Sequence, residues 1–218
     1  MREGFYGSVI PGEPFPAREI EKHLRSSVVS VLPIYIYGQS VLRKKARPVK
    51  TPSEELSALA ADMIETMRKA NGIGLAANQV GDLRRIIVVD AGVITESEDV
   101  PPIAMINPEI LNRDGSWSIE EGCLSIPEIR EEVERAEKVL VRYHDPALNV
   151  HELDADGLLG RVILHEIDHL NGVLFLDHLG AVKRKLLRGR LNKLERGEVD
   201  VDYPIVGNSM PATGTDFR

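Results

Sequence analysis

Apolar residues recur at the spacing of an amphipathic helix in the first third of the chain. The stripe consists of Leu56, Leu59, Ala60, Met63, Ile64 and Met67. This i, i+3, i+4 repeat places its members on one face, so the segment predicts a helix that buries that face. Thr51 is predicted to cap the helix, with Pro52 in its first turn and Glu54 completing a capping box. Asn71 and Gly72 are predicted to end it.

Apolar and β-branched runs predict strands in the middle of the chain. They cover residues 84–90, 103–111 and 138–145. Residues 113–115 mark a turn, and the stretch SWSIEEGCLSIP follows that turn at 116–127. The run at 28–38 is too short to span a bilayer and contains Pro33. It therefore predicts a strand that enters the domain.

Two more helices are predicted after the strands. One begins at Asp156 or Gly157, has the sequence GLLGRVILHEIDHL, and closes at Asn171 and Gly172. The other covers about residues 180–196 and is strongly basic. Its predicted inner face consists of Val182, Leu186, Leu187, Leu191 and Leu194. Because strands lie between the helices without βαβ alternation, the order of elements predicts an α+β fold.

Composition narrows the class of protein. The net charge of −7 argues against a general nucleic-acid-coating role. A single cysteine, Cys123, excludes an internal disulfide and fits a reducing compartment, so we expect a cytoplasmic protein. The first thirty residues contain four acidic residues beside four basic ones, which argues against an organelle transit peptide. We expect a mobile N-terminal extension at 1–30, one folded domain at 31–197 and a C-terminal tail at 198–218.

The stretch HEIDH at 165–169 is the first candidate for chemistry. On a helix, His165 and His169 project from one face, one turn apart, so both imidazoles could reach the same ion. Glu166 lies beside them as a candidate base. A short motif of this kind also occurs by chance on an exposed helix that happens to carry two histidines.

A metal site needs a third ligand, and the chain offers alternatives. A third histidine six residues after His169 would fit one class of metalloprotease, but Phe175 stands there. A metalloendopeptidase could instead use a downstream glutamate, Glu195 or Glu198, although both lie on or just past the basic helix. Cys123 lies upstream, and a thiolate with two imidazoles is a sound tetrahedral set with one open position. Taken alone, Cys123 could equally be a buried inert thiol.

A third segment, GIGLAANQVG at 72–81, lacks the lysine and spacing of a phosphate loop and could be a tight turn. In order and spacing, GIGLAANQ, EGCLS and HEIDH together resemble the peptide deformylase family over residues 31–195. The resemblance implies an α+β catalytic domain, with mixed or antiparallel sheets around a central helix that carries HEIDH. It also implies removal of the N-formyl group from the initiator methionine of nascent polypeptides.

By the same resemblance, Cys123, His165 and His169 bind the metal and Glu166 is the general base and acid. Gln79 and the backbone amide of Leu124 form the oxyanion site, and Gly74 provides a backbone contact to the substrate. The pocket for the methionine side chain is expected to include Ile73, Ile119, Leu158 and Val162. Arg161 is expected at the rim of that pocket, and Arg130 near the extended backbone of the substrate. Plain core packing remains the alternative for each apolar residue of the pocket.

The resemblance favours Fe(II) as the ion in the cell, with zinc or nickel in preparations, and Cys and His ligands suit iron and zinc alike. The basic helix is either a solvated surface or a contact with ribosomal RNA, as in the family. Two functional alternatives stay open: a metalloendopeptidase, and a non-catalytic homologue that binds nascent chains or ribosomes.

Overall fold

The structure is a computed structural model that describes residues 29–97 and 100–207. The strands in these ranges are β1 (Ile34–Tyr35), β2 (Gly74–Ala76), β3 (Ile86–Val89), β4 (Ile103–Asp114), β5 (Trp117–Cys123), β6 (Ile126–Arg135), β7 (Lys138–His144), β8 (Val150–Asp156) and β9 (Ile205–Val206). The α-helices are α1 (Glu54–Lys69), α2 (Ala91–Thr95), α3 (Gly157–Leu170) and α4 (Ala181–Glu195). Short 3-10 helices cover Ser40–Arg43, Ala77–Val80 and Phe175–His178. The predicted α+β class is confirmed.

A five-stranded antiparallel sheet lies between α1 and α3. Its strand order is β2-β3-β4-β7-β8. Ile86 and Val88 of β3 pack in the cluster that contains the buried face of α1, whereas Ile87 and Val89 pack with α3. Because both faces of the sheet are covered, β3 is apolar at every position rather than at every second one. The helix that carries HEIDH is therefore an interior helix.

A hairpin of β5 and β6 packs on α4 in a third cluster. The α4 residues in this cluster are Leu187, Leu191 and Leu194. The predicted inner face of α4 was too wide, since Val182 and Leu186 are 74% and 78% exposed. A stripe of about one residue per turn covers the hairpin, so these two side chains remain in solvent.

The segment after α4 returns to the body of the protein. Strand β9 pairs in parallel with β1. The Ile34 N–H donates to the Pro204 carbonyl at 2.8 Å, and the Ile36 N–H to the Val206 carbonyl at 3.1 Å. Part of the predicted tail, 198–207, thus packs on the domain. The rest of the tail and residues 1–28 of the extension lie outside the described residues, and the division into regions stays a prediction.

Several element boundaries differ from the predictions. Ser53 caps α1 in place of Thr51, because its hydroxyl accepts the Leu56 N–H at 3.2 Å directly ahead of the acidic first turn. The run at 28–38 forms a strand only at β1. Strands β2 and β8 were not expected, since β2 has three residues and β8 reads VHELDAD, without an apolar run. Within the described ranges, no helix combines the length and apolarity needed to cross a bilayer.

Candidate active site

Helix α3 places the two histidines of HEIDH side by side next to a cavity, and His165 lines that cavity. The rings of His165 and His169 lie edge to face, with their centroids 4.9 Å apart. Both side chains are buried, because α3 packs along the central sheet and Phe175 stacks against the His165 ring. The helical spacing therefore produces a pair of interior imidazoles, and the exposed-helix alternative does not apply.

Strand β5 ends at Cys123, which faces these two rings. The Cys123 Sγ lies 3.2 Å from the His169 Nε2. One ligand atom from each of Cys123, His165 and His169 lies within 4.8 Å of the other two. A thiolate and two imidazole nitrogens at this separation fit a tetrahedral divalent cation with an open fourth position.

A carboxylate that the sequence analysis missed orients His165. The Glu121 Oε2 lies 3.0 Å from the His165 Nδ1, which leaves Nε2 of that ring for the site. The Glu121 Oε1 accepts from Arg135 Nε at 2.6 Å and from Arg161 Nη1 at 2.9 Å. Burial would raise the pKa of Glu121, but the hydrogen bonds from His165 and Arg135 outweigh it and hold the pKa well below its usual range.

The same network reaches Asp168, the fourth residue of HEIDH. Its Oδ2 lies 2.6 Å from Arg135 Nη1 and 2.7 Å from His178 Nε2. Asp168 therefore ties α3 to β6 and to the segment that follows α3. The only signal for Glu121 in the sequence is an acid two residues before Cys123, and Glu120 beside it is equally acidic.

Glu166 lies at the wall of the cavity next to β2. It is 4% exposed, and burial raises its pKa to about 7 although the neighbouring His165 lowers it. A Cβ atom on Gly74 would lie 2.5 Å from the Glu166 Oε1 and 2.6 Å from Val162 Cγ1. Only glycine at position 74 therefore lets β2 approach this carboxylate. The Glu166 Oε2 has no hydrogen-bond partner among the described residues, so it is free to bind a proton or a water.

Gln79 and Leu124 complete the polar side of the cavity. The Gln79 Oε1 accepts the Ala76 N–H at 2.8 Å, which orients the amide so that Nε2 faces Cys123 and Ser125. That Nε2 lies 3.6 Å from Cys123 Sγ and 3.2 Å from Ser125 Oγ. Leu124 follows Cys123 directly and lines the same cavity.

The cavity itself has a volume of about 650 Å³ and contains all the predicted pocket positions. Ile73, Ile119, Leu158 and Val162 line it, together with Arg130 and Arg161. The rim position expected for Arg161 is wrong, because its side chain is buried and bonded to Glu121 and to the Val133 carbonyl at 3.0 Å. Its guanidinium also lies over the Trp117 ring, 5.4 Å from the centroid.

Comparisons with known proteins agree with this arrangement. The family model described as polypeptide deformylase matches residues 31–185. The chain belongs to the peptide deformylase family. A peptide deformylase from Salinibacter ruber is 49% identical over 184 residues, which cover 81% of this chain and 94% of that protein.

Solved peptide deformylases share the fold. The crystal structure from Legionella pneumophila is 40% identical, has a TM-score of 0.71, and is matched over 78% of this chain and 98% of that one. A class I type b peptide deformylase from Acinetobacter baumannii, solved with Met-Ala-Ser bound, is 37% identical. Its TM-score is 0.65, with 70% of this chain and 100% of that chain covered.

The metalloendopeptidase alternative is not favoured for this deformylase-family chain. Phe175, at the position of a possible third histidine, stacks against the His165 ring at 6.2 Å between centroids. Glu195 and Glu198 are exposed, and Glu198 pairs with Arg196 at 2.6 Å. Neither glutamate lines the cavity.

The cluster around Glu121 makes a prediction for the stability of this peptide deformylase. Glu121→Ala would leave two buried arginines short of a partner, so we expect the free energy of unfolding to fall by about 3–5 kcal/mol. Urea denaturation measures this loss. Glu132→Ala, an exposed glutamate on the adjacent strand, is the control and should change stability by no more than about 0.5 kcal/mol. Equal effects of the two substitutions would contradict the role of the cluster.

Proposed function

We propose that the cavity beside HEIDH is the site of deformylation and that Cys123, His165 and His169 hold its metal. As a member of the peptide deformylase family, the protein is a hydrolase that removes the N-formyl group from nascent polypeptides. The observation that carries the assignment is the convergence of three ligand atoms within 4.8 Å beside a buried carboxylate. A divalent cation held there would polarise the formyl carbonyl and make a water more acidic.

Glu166 is the group that moves protons in this proposal. Its Oε2 lacks a partner among the described residues, so it can accept a proton from the attacking water. The same carboxyl then delivers that proton to the amine that leaves. A pKa near 7 suits both steps, because a group that titrates near the working pH can gain and lose a proton readily.

Gln79 and Leu124 stabilise the charge that develops on the formyl oxygen. The Gln79 Nε2 and the Leu124 backbone N–H are the two donors, and the Ala76 N–H keeps the Gln79 amide in place before the substrate arrives. One such preorganised donor is typically worth about 3 kcal/mol of transition-state stabilisation.

The substrate occupies the rest of the cavity. Ile73, Ile119, Leu158 and Val162 form the apolar pocket for the methionine side chain, and Arg130 and Gly74 lie along the peptide backbone. The Met-Ala-Ser bound to the Acinetobacter baumannii enzyme supports a product of this class. Arg161 lines the cavity with its guanidinium bonded to Glu121, so it lies inside the pocket and away from the residue that follows methionine.

Fe(II) is the proposed ion in the cell, with zinc or nickel in preparations, and the proposed location is the cytoplasm. A donor set of one thiolate and two imidazoles suits each of these ions. The test is metal analysis of protein purified without oxygen, combined with formate release from formyl-Met-Ala-Ser. Bound metal without formate release would contradict the deformylase assignment and leave the non-catalytic alternative.

A second proposal concerns α4, whose cations would contact ribosomal RNA close to the emerging substrate. Lys183, Lys185 and Arg188 are exposed on this helix together with Arg184, in a protein of net charge −7. Lys183 also pairs with Glu131 at 3.3 Å, so it is less available than the other three. Neutralisation of phosphates by such residues makes binding steeply dependent on salt.

The α4 prediction is that reversing Arg184, Lys185 and Arg188 to Glu greatly weakens co-sedimentation with ribosomes at low salt. Formate release from a short formylated peptide should stay within about twofold, since α4 lies outside the cavity lining. Reversal of three exposed cations elsewhere, Lys45, Lys50 and Arg113, changes the net charge equally and is the control. Equal loss of binding in both variants would favour a net-charge effect over a specific surface.

A further inference from the structure

The segment at 198–207 reaches the active-site cavity although it lies beyond the part of the chain that the family model matches. Pairing of β9 with β1 fixes its path, with backbone hydrogen bonds to the carbonyls of Pro204 and Val206. Tyr203 directly precedes Pro204, whose carbonyl accepts the first of these hydrogen bonds. The Tyr203 ring is partly buried against the apolar cluster that contains the buried face of α1, and it lines the cavity.

The Tyr203 hydroxyl donates to the Leu124 carbonyl at 2.9 Å. Burial, with the negative charges of Cys123 and Asp202, raises the pKa of Tyr203 to about 12, so the phenol keeps the proton it donates.

The next residue of this loop is held as well. The Ser125 carbonyl accepts the Tyr37 N–H at 2.8 Å, and the Ser125 hydroxyl lies 3.2 Å from the Gln79 Nε2. Among the described residues, the Tyr203 side chain donates to the Leu124 carbonyl. Because the Leu124 N–H and carbonyl are joined through the same Cα, a shift of Leu124 on loss of this bond would also displace its N–H.

We propose that Tyr203 is a positioning residue, which holds the backbone of Leu124 so that its N–H points at the oxygen that becomes charged during deformylation. The inference rests on the proposed role of Leu124. Tyr203 acts through Leu124 and moves no proton in the reaction. The segment at 198–207 is then part of the active site, and the parallel pairing of β9 with β1 places it there.

The consequence is a specific kinetic signature. A donor that acts on a charge present only in the transition state affects kcat and leaves KM nearly unchanged. Complete loss of one oxyanion donor lowers kcat by about 10²–10³-fold. A displaced Leu124 N–H should lose only part of this rate effect. We therefore expect kcat to fall roughly tenfold in Tyr203→Phe, with KM within about twofold.

The experiment compares Tyr203→Phe with wild type and with Tyr35→Phe, a control on β1 that does not line the cavity. Formate release from formyl-Met-Ala-Ser gives kcat per bound metal and KM, and thermal unfolding gives the midpoint temperature. The inference expects lowered kcat only in Tyr203→Phe, with metal content and midpoint like those of the control.

Other outcomes overturn the inference. An unchanged kcat, a higher KM at unchanged kcat, or a loss of activity that follows lost metal or a lowered midpoint would each contradict positioning through Leu124. Tyr203→Leu, which also removes the ring, should lose at least as much kcat as Tyr203→Phe. If only Tyr203→Leu is impaired, packing of the ring and not the hydroxyl is responsible. An inactive wild type would instead contradict the proposed function itself.

Discussion

Glu166→Gln should nearly abolish deformylation while the metal stays bound. The amide keeps the size of the side chain but cannot take a proton from water, and positioned acid–base groups contribute about 10²–10⁴-fold to rates. We therefore expect kcat for formate release to fall roughly 10³-fold or more. Glu166 adjoins His165 in the helix but does not belong to the three-residue ligand group.

Metal analysis of the purified variant separates a base from a ligand. Asp154→Asn, the same acid-to-amide change at an exposed position of β8, should keep wild-type kinetics and metal content. Stoichiometric metal in inactive Glu166→Gln would support the assignment. Lost metal in this variant would mean that Glu166 is a ligand, and we would withdraw its role as the base.

Cys123→Ser should lose both the metal and the activity. A neutral hydroxyl is a far weaker ligand than a thiolate, and even outer-shell changes cost about 10–100-fold in metal affinity, so a larger loss is expected here. Metal titration and formate release measure the two effects. Cys123→Asp, which restores a negatively charged ligand, should recover part of the metal binding.

The outcome for Cys123 also distinguishes the deformylase from an endopeptidase. An enzyme that used His165, His169 and a downstream glutamate would keep its metal and its activity in Cys123→Ser. Retained metal together with retained formate release would contradict the three-residue ligand set. The exposed positions of Glu195 and Glu198 make that result unexpected.

Local sequence patterns were sufficient to predict the helices whose apolar repeat is set by neighbouring residues. The buried stripe of α1 and the extent of α3 follow from helical periodicity, which depends only on neighbouring positions. The cap of α1 was misplaced by two residues because Thr51 and Ser53 both suit an N-cap. Strand β8 escaped notice because its stability comes from pairing with β7 rather than from apolar residues of its own.

The sequence likewise named some residues of the candidate site and missed others. Family resemblance named Cys123, His165, His169 and Glu166, and the structure brings these residues together, although their roles stay proposals. Glu121 could not be chosen over Glu120, because a strand points successive side chains to opposite sides and the register with β6 decides which glutamate is buried. Arg161 was expected at a rim, but Glu121 draws its guanidinium inward.

By itself, the sequence determined the α+β class, the helical turn that pairs His165 with His169, and the three motifs of the family. These depend on spacing along the chain, which neighbouring residues decide. Only the tertiary structure decided that Glu121 orients His165, that Gly74 admits Glu166 to the cavity wall, and that Tyr203 reaches Leu124. Each of these contacts joins residues far apart in the chain, and long-range contacts arise from the packing of whole elements, which no local pattern records.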